Sequence, residues 1–185
     1  YSKYLLNLKL NNLIEEINTL KQNNNIGRNQ SLFRNHISDL FTQSEGFKSW
    51  RGIEYLLQEY EIFLGSDLKE IFDSRVILEE ICPYMDDNTR DCWNHIYQNR
   101  QEQRKKKMIY NLGNIILALK KTYSGQCFDA KLNRFENGNN MENEIYQNYQ
   151  EKVWSDQSIL KRGIDLLSFI EARWDLNFGD RSSKR

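Results

Sequence analysis

Apolar residues recur at three- and four-residue steps along most of the chain, the spacing of amphipathic helices. Residues from about 3 to 22 place Leu6, Leu10, Leu13, Ile14, Ile17 and Leu20 on one face. Lys21 to Asn25 then form a polar loop, and Gly27 finishes the turn. A second helix is expected over about 29–43, with Leu32, Phe33, His36, Ile37, Leu40 and Phe41 on its stripe. His36 reads there as a packed, hydrogen-bonded core histidine, because no acidic partner stands at ligand spacing. A third helix, about 47–64, alternates Trp50, Tyr60 and Phe63 with aliphatics, which favours core over a base-stacking platform. Gly65-Ser66-Asp67 ends it.

The pattern changes at Val76-Ile77-Leu78-Glu79-Glu80-Ile81-Cys82-Pro83. An apolar run leads into two adjacent carboxylates and a Cys-Pro stop, as in a strand that enters a turn with two acids at its end. Leu112-Gly113-Asn114-Ile115-Ile116-Leu117 is a second short apolar run with a Gly-Asn turn at its front. Residues 76–82 and 114–118 are therefore expected to form the only β-structure, an antiparallel pair. A helix starting near 126–128, carrying Phe128 and Lys131, would pack across it. Between the strands, Asp86 to Thr89 form a link in which Asp87 or Asn88 would cap one helix running to about 108. That helix holds Trp93, Ile96 and Tyr97 on one face, with His95 in a structural role. It ends in Arg100, Arg104, Lys105, Lys106 and Lys107, opposed only by Glu102. Two further helices, about 142–153 and 156–175, follow an Asn- and Gly-rich loop, with Asp156 as the cap of the second.

Composition agrees with a mainly α chain, since Pro83 is the single proline. The 26 basic and 26 acidic residues cancel, so any attraction for nucleic acid must come from local patches. Cys82, Cys92 and Cys127 form no CxxC and leave an odd thiol under any pairing. Reduced cytoplasmic thiols are the expectation, without disulfide or structural zinc. No stretch approaches the ~20 apolar residues of a membrane span, so no membrane partner is expected. A start at Tyr1 rather than Met reads as a piece of a longer protein. The expected organisation is a helical region over 1–75, a ββα region with C-terminal helices over 76–178, and a disordered tail over 179–185.

A strand with an acidic end, a Gly-Asn strand and then a helix is the order of a ββα-metal nuclease site. Further landmarks keep that order. Tyr55-Leu56-Leu57-Gln58-Glu59-Tyr60-Glu61 is similar to a "YLLYEYE" segment, and Leu78-Glu79-Glu80-Ile81-Cys82-Pro83 to "IEHIxP". Trp93 follows, then Leu112-Gly113-Asn114-Ile115 for "LGNL" and Phe128 with Lys131 for "FxxK". Trp154, Ile159 and Arg162 fit "WxxxxIxxR". Together they resemble the HNH-nuclease domain at the C-terminus of GmrSD-like modification-dependent restriction endonucleases and related phage-defence proteins.

The resemblance implies a helical domain with a small embedded ββα-metal, HNH-like motif. It implies Mg²⁺ or Mn²⁺ on oxygen ligands, DNA as substrate, and an N-terminal nucleotide-using domain or subunit as partner. On the matching positions, Glu79 takes the metal-side carboxylate and Asn114 the orienting asparagine. Lys131 sits near substrate phosphate or packs on the site; Arg162 braces the site or touches the DNA backbone. The run Arg100, Arg104, Lys105, Lys106 and Lys107 would meet phosphate. Two departures stand out. Glu80 occupies the position of the general-base histidine, and the second asparagine after the Gly-Asn strand has no counterpart in Lys120 to Gln126. A glutamate titrates near pH 4.3 against about 6.5 for histidine, and a metal beside it weakens it further as a base. Glu80 would then serve as a second metal ligand in a site that cuts poorly. The alternatives are a non-catalytic DNA-binding or protein-interaction module derived from such a domain, and a purely helical scaffold.

Overall fold

Helical periodicity does become helix, with boundaries moved where the backbone turns extended. The computed structural model describes residues 26–67, 76–84, 91–97, 101–119, 126–149 and 153–178. The expected helix over 3–22, the link at 86–89, Arg100 and the tail lie outside these residues. Helix α1 spans Ile26–Leu40 and α2 spans Ile53–Phe63, with a 3-10 turn at Gly46–Ser49 between them. Trp50 is extended (ψ 119°), so the single helix expected over 47–64 is broken there. The helix expected to run unbroken to 108 is also divided. A 3-10 turn at Asp91–Trp93 leads into α3, Asn94–Tyr97, and α4, Glu102–Ile109, starts afresh after an extended Gln101 (ψ 146°).

The two strands are where the apolar runs place them. Strand β1, Val76–Glu80, pairs antiparallel with β2, Ile115–Leu119; Val76 faces Leu119 and Glu80 faces Ile115. No other strand occurs among the described residues. Ile81 and Cys82 leave the strand and are buried in the turn. The Gly-Asn segment is a 3-10 turn, Leu112–Asn114. Helix α5, Phe128–Phe135, begins at the expected place, followed by α6, Asn140–Asn148, and α7, Asp156–Trp174.

The caps do more than the sequence reading allowed. Ser155, not Asp156, caps α7 by accepting from Ser158 N–H. Asn139 caps α6 reciprocally with Glu142 and also donates Nδ2 to Leu117 O at 2.7 Å, which ties the cap to β2. Buried Glu61 of α2 accepts from Asn140 N at 2.7 Å and Met141 N at 2.8 Å, a carboxylate seated on a helix N-terminus. Ile37, Leu57, Ile96, Ile116, Phe135, Ile145 and Ile170 belong to one buried cluster, so the first helices share their core with the sheet.

Three expectations fail here. His36 is exposed and meets Trp50 edge-on at 5.8 Å, and Phe63 is 66% exposed, because the apolar stripes are wider than the faces that pack. Cys92 and Cys127 form a disulfide (Cα–Cα 5.9 Å), leaving only Cys82 as a free, buried thiol. Their separation of 35 residues carries no signal; the fold sets the turn before α3 against the start of α5. Among the described residues no helix is long and apolar enough to cross a membrane.

Candidate functional site

The end of β1 is held by side chains from the Leu112–Asn114 turn, α5 and the Gly46–Ser49 turn. Asn114 is fully buried and ties the turn after β1 to Ile109 and Trp154. Its Oδ1 accepts from Cys82 N and Trp154 Nε1, both at 2.9 Å, and its Nδ2 donates to Cys82 O and Ile109 O, both at 2.8 Å. Asn114 O also accepts from Ile81 N at 2.8 Å. Asn114 therefore fixes the backbone beyond the two acids and touches neither carboxylate.

Lys131 and Arg162 were each open to two roles, and the geometry gives them the bracing one. Lys131 on α5 is 1% exposed and donates Nζ to Glu80 O (2.9 Å) and Ile81 O (2.8 Å), over the Trp93 ring. Arg162 on α7 is 0% exposed, and Nη1 donates to Gly113 O (3.0 Å) and Ile115 O (2.9 Å). Its Nε lies 3.7 Å from Glu144 Oε2. Neither cation is open to a DNA phosphate, so their assignment as DNA contacts is corrected to support of the strand ends. Trp93 Nε1 bonds Gln126 O at 3.0 Å, and His95 Nε2 pairs with Trp154 O at 2.8 Å, a structural role as expected.

Glu80 makes an ion pair with Lys48 (2.5 Å) from the 3-10 turn at Gly46–Ser49. No sequence spacing announces this contact. Burial works to lower the Lys48 pKa, but the Glu80 hydrogen bond and charge outweigh it and hold the ammonium above its usual range. Glu79 is pushed up by burial, against the pull of Lys131 and with a further push from Glu80. Burial pulls Lys131 down to about 8, opposed by Glu79. Cys82 is pushed up to about 12 by burial and stays a thiol.

The donor set does not fit the implied divalent ion. Two carboxylates stand among two ammonium groups, and no group of three or more His, Cys, Asp or Glu among the described residues is placed to hold a metal. Mg²⁺ can be held by one or two carboxylates with water and phosphate completing its shell, so what argues against it here is the ammonium charge already placed beside each acid.

A basic strip leads away from Glu80. Lys48 Nζ lies over the Tyr110 ring at 4.9 Å, Tyr110 stacks on Tyr84 (6.1 Å), and Lys106 Nζ lies over Tyr84 at 5.8 Å. Tyr84 Oη also donates to Glu102 Oε1, and Lys105 sits 3.8 Å from the other oxygen of that carboxylate. Arg104 and Lys107 face elsewhere, into a groove against α7. The α4 run is thus two faces, not one patch.

No protein-family model matches the chain, and neither does any curated protein or solved structure.

Titration of Lys131 gives a measurable pH signature. Its folded pKa is below the unfolded value of 10.5, so between about 8 and 10.5 the unfolded chain binds more protons. Stability contributed by this group therefore rises with pH across that window and is flat below it. Tyr60 and Tyr149, both raised to about 12, act in the opposite sense, so the comparison needs a reference. Urea melts of wild type and Lys131→Met at steps from pH 7 to 10 (roughly the window set by linkage) should show the wild type gaining on the variant above about 8. A constant difference would mean that Lys131 titrates as a solvated lysine.

Proposed function

We propose that this chain is a DNA-binding domain of HNH-like ββα type whose hydrolytic position is closed. The observation that carries the reading is the Glu80–Lys48 ion pair at the β1 end, continuous with Tyr110, Tyr84 and Lys106. Asn114 and Lys131 bond the backbone at this end, Trp154 bonds Asn114, and Arg162 braces Gly113 and Ile115 at the start of β2, which supports a scaffold built to present it. At the position where the resemblance implies a histidine, the chain has a carboxylate already neutralised by an ammonium. A carboxylate is by its chemistry a weaker base than a histidine, and a partly exposed ion pair adds only ~0–1 kcal/mol to stability. The basic strip supplies phosphate contacts independent of base sequence.

The test is a supercoiled plasmid incubated with the chain in Mg²⁺ or Mn²⁺, alongside binding to a DNA duplex. Binding without nicking is expected. Metal-dependent nicking that Glu79→Gln removes would overturn the reading in favour of an endonuclease. Glu80→His separates an absent base from an absent centre. A gain of about 10²- to 10⁴-fold in nicking, the usual contribution of general-base help, would show that only the base is missing. No gain is expected, given the two ammonium groups beside the acids.

A further inference from the structure

A groove of about 320 Å³ lies between α4, the start of α7 and the residue after α1. Phe41, Met108, Ile159 and Leu160 form its apolar lining; Arg104, Lys107, Asn111 and Asp156 supply its polar groups. Its size is at the small end of the ~300–1,000 Å³ typical of small-molecule clefts, which suits side-chain anchors better than a cofactor. Beyond the groove the apolar surface continues along α7, where Leu160 is 58% and Ile164 49% exposed one turn apart. Single exposed aliphatics are ordinary, but an i, i+4 pair running out of an apolar groove makes a track.

Three polar features give that track a sign. Arg104 and Lys107 make no ion pair among the described residues, although Glu102 on the same helix pairs with Lys105. Asn111 is only 8% exposed, and its Oδ1 is taken by Gly113 N at 3.0 Å. The residue lines the groove beside the two cations. Asp156 offsets one of the two cations and leaves the groove net positive.

We propose that this groove is a docking site for an acidic amphipathic segment of a partner protein. Two aliphatic side chains at helical spacing would seat on Phe41, Met108, Ile159 and Leu160. Flanking carboxylates would meet Arg104 and Lys107. A nucleobase fits less well, because Phe41 is the only ring in the lining and stacking needs aromatic faces. The site is separate from the Lys48–Lys106 strip and does not rest on DNA binding.

The probe is a displayed peptide library with aliphatic residues at i, i+3, i+4 and i+7 and random positions between, panned on the full chain. Enrichment of Glu and Asp beside the anchors is expected. The recovered peptides should bind at least about tenfold more weakly to Arg104→Glu/Lys107→Glu and to Leu160→Lys. Far-ultraviolet circular dichroism matching wild type would establish that both variants fold, and Arg104→Lys should keep most of the affinity. Three results would each overturn the proposal. One is recovery of no acidic binders, or of binders indifferent to both variants. Another is displacement of the peptides by a DNA duplex, which would assign the groove to nucleic acid. The third is a concentration-dependent dimer of wild type that Leu160→Lys abolishes, which would assign it to a second copy.

Discussion

Gly113→Ala should remove a large share of the folding free energy of this chain. A Cβ at position 113 would lie 1.9 Å from Ile159 O and 2.6 Å from Gly163 N, both backbone atoms of α7. Overpacking typically costs ~1–3 kcal/mol when side chains can yield. Here the helix itself must back away. Arg162 would then lose its hold on Gly113 O and Ile115 O, and Trp154, just before α7, its bond to Asn114. The loss should exceed about 4 kcal/mol, within reach of the ~5–15 kcal/mol total of an ordinary domain. Gly163→Ala is the matched control. Its Cβ would meet Asn111 Oδ1 at 3.0 Å and Gly113 N at 3.6 Å. That tight contact works against a helix-propensity gain of up to ~1 kcal/mol, so the control should stay within about 1 kcal/mol of wild type. Urea melts followed by tryptophan fluorescence measure both. A Gly113→Ala melt close to wild type would mean that the turn and α7 do not press together.

Gly113 also marks how far the sequence could be read. Residue type and order pointed to the right place, but a Gly-Asn pair reads locally as a turn that needs a positive φ. Only Gly46 and Gly65 have that conformation among the described glycines. Gly113 is needed for close approach to a helix that begins more than forty residues later, roughly the distance over which local propensity says nothing. The strands were legible because β-branched runs differ from everything around them in period. Asn114 was legible as a holder of its loop, but its partners, Cys82, Ile109 and Trp154, come from three separate segments. Lys48 was not legible at all. It stands on a different element from Glu80, and pairing between distant charges leaves no periodic trace. The same holds for Cys92 and Cys127, where an odd cysteine count argued against a bond that the fold makes.

Removing the charges of Lys48, Lys105 and Lys106 together should weaken binding to a DNA duplex on the order of a hundredfold at ~0.15 M salt. Each lost phosphate contact takes about 0.9 from the slope of log K against log salt, so three contacts take roughly 2.7. At that salt concentration the difference amounts to about two powers of ten. Arg104→Ala/Lys107→Ala should leave the slope nearly intact, because those two side chains line the groove against α7. A uniform patch would lose slope in proportion to the charges removed from either set, so this contrast tests the division of α4 into two faces. Glu80→Gln should act in the opposite direction. It removes a carboxylate that repels phosphate and frees Lys48 from its 2.5 Å pair, so affinity should rise and the slope steepen. A carboxylate needed to hold a metal for DNA would give the reverse, with binding weakened in Mg²⁺ and unchanged in chelator. Fluorescence anisotropy over a salt series, with and without Mg²⁺, reads all three variants on one scale. An unchanged slope in the triple lysine variant would mean that these side chains are solvated and would overturn the proposed DNA-binding strip.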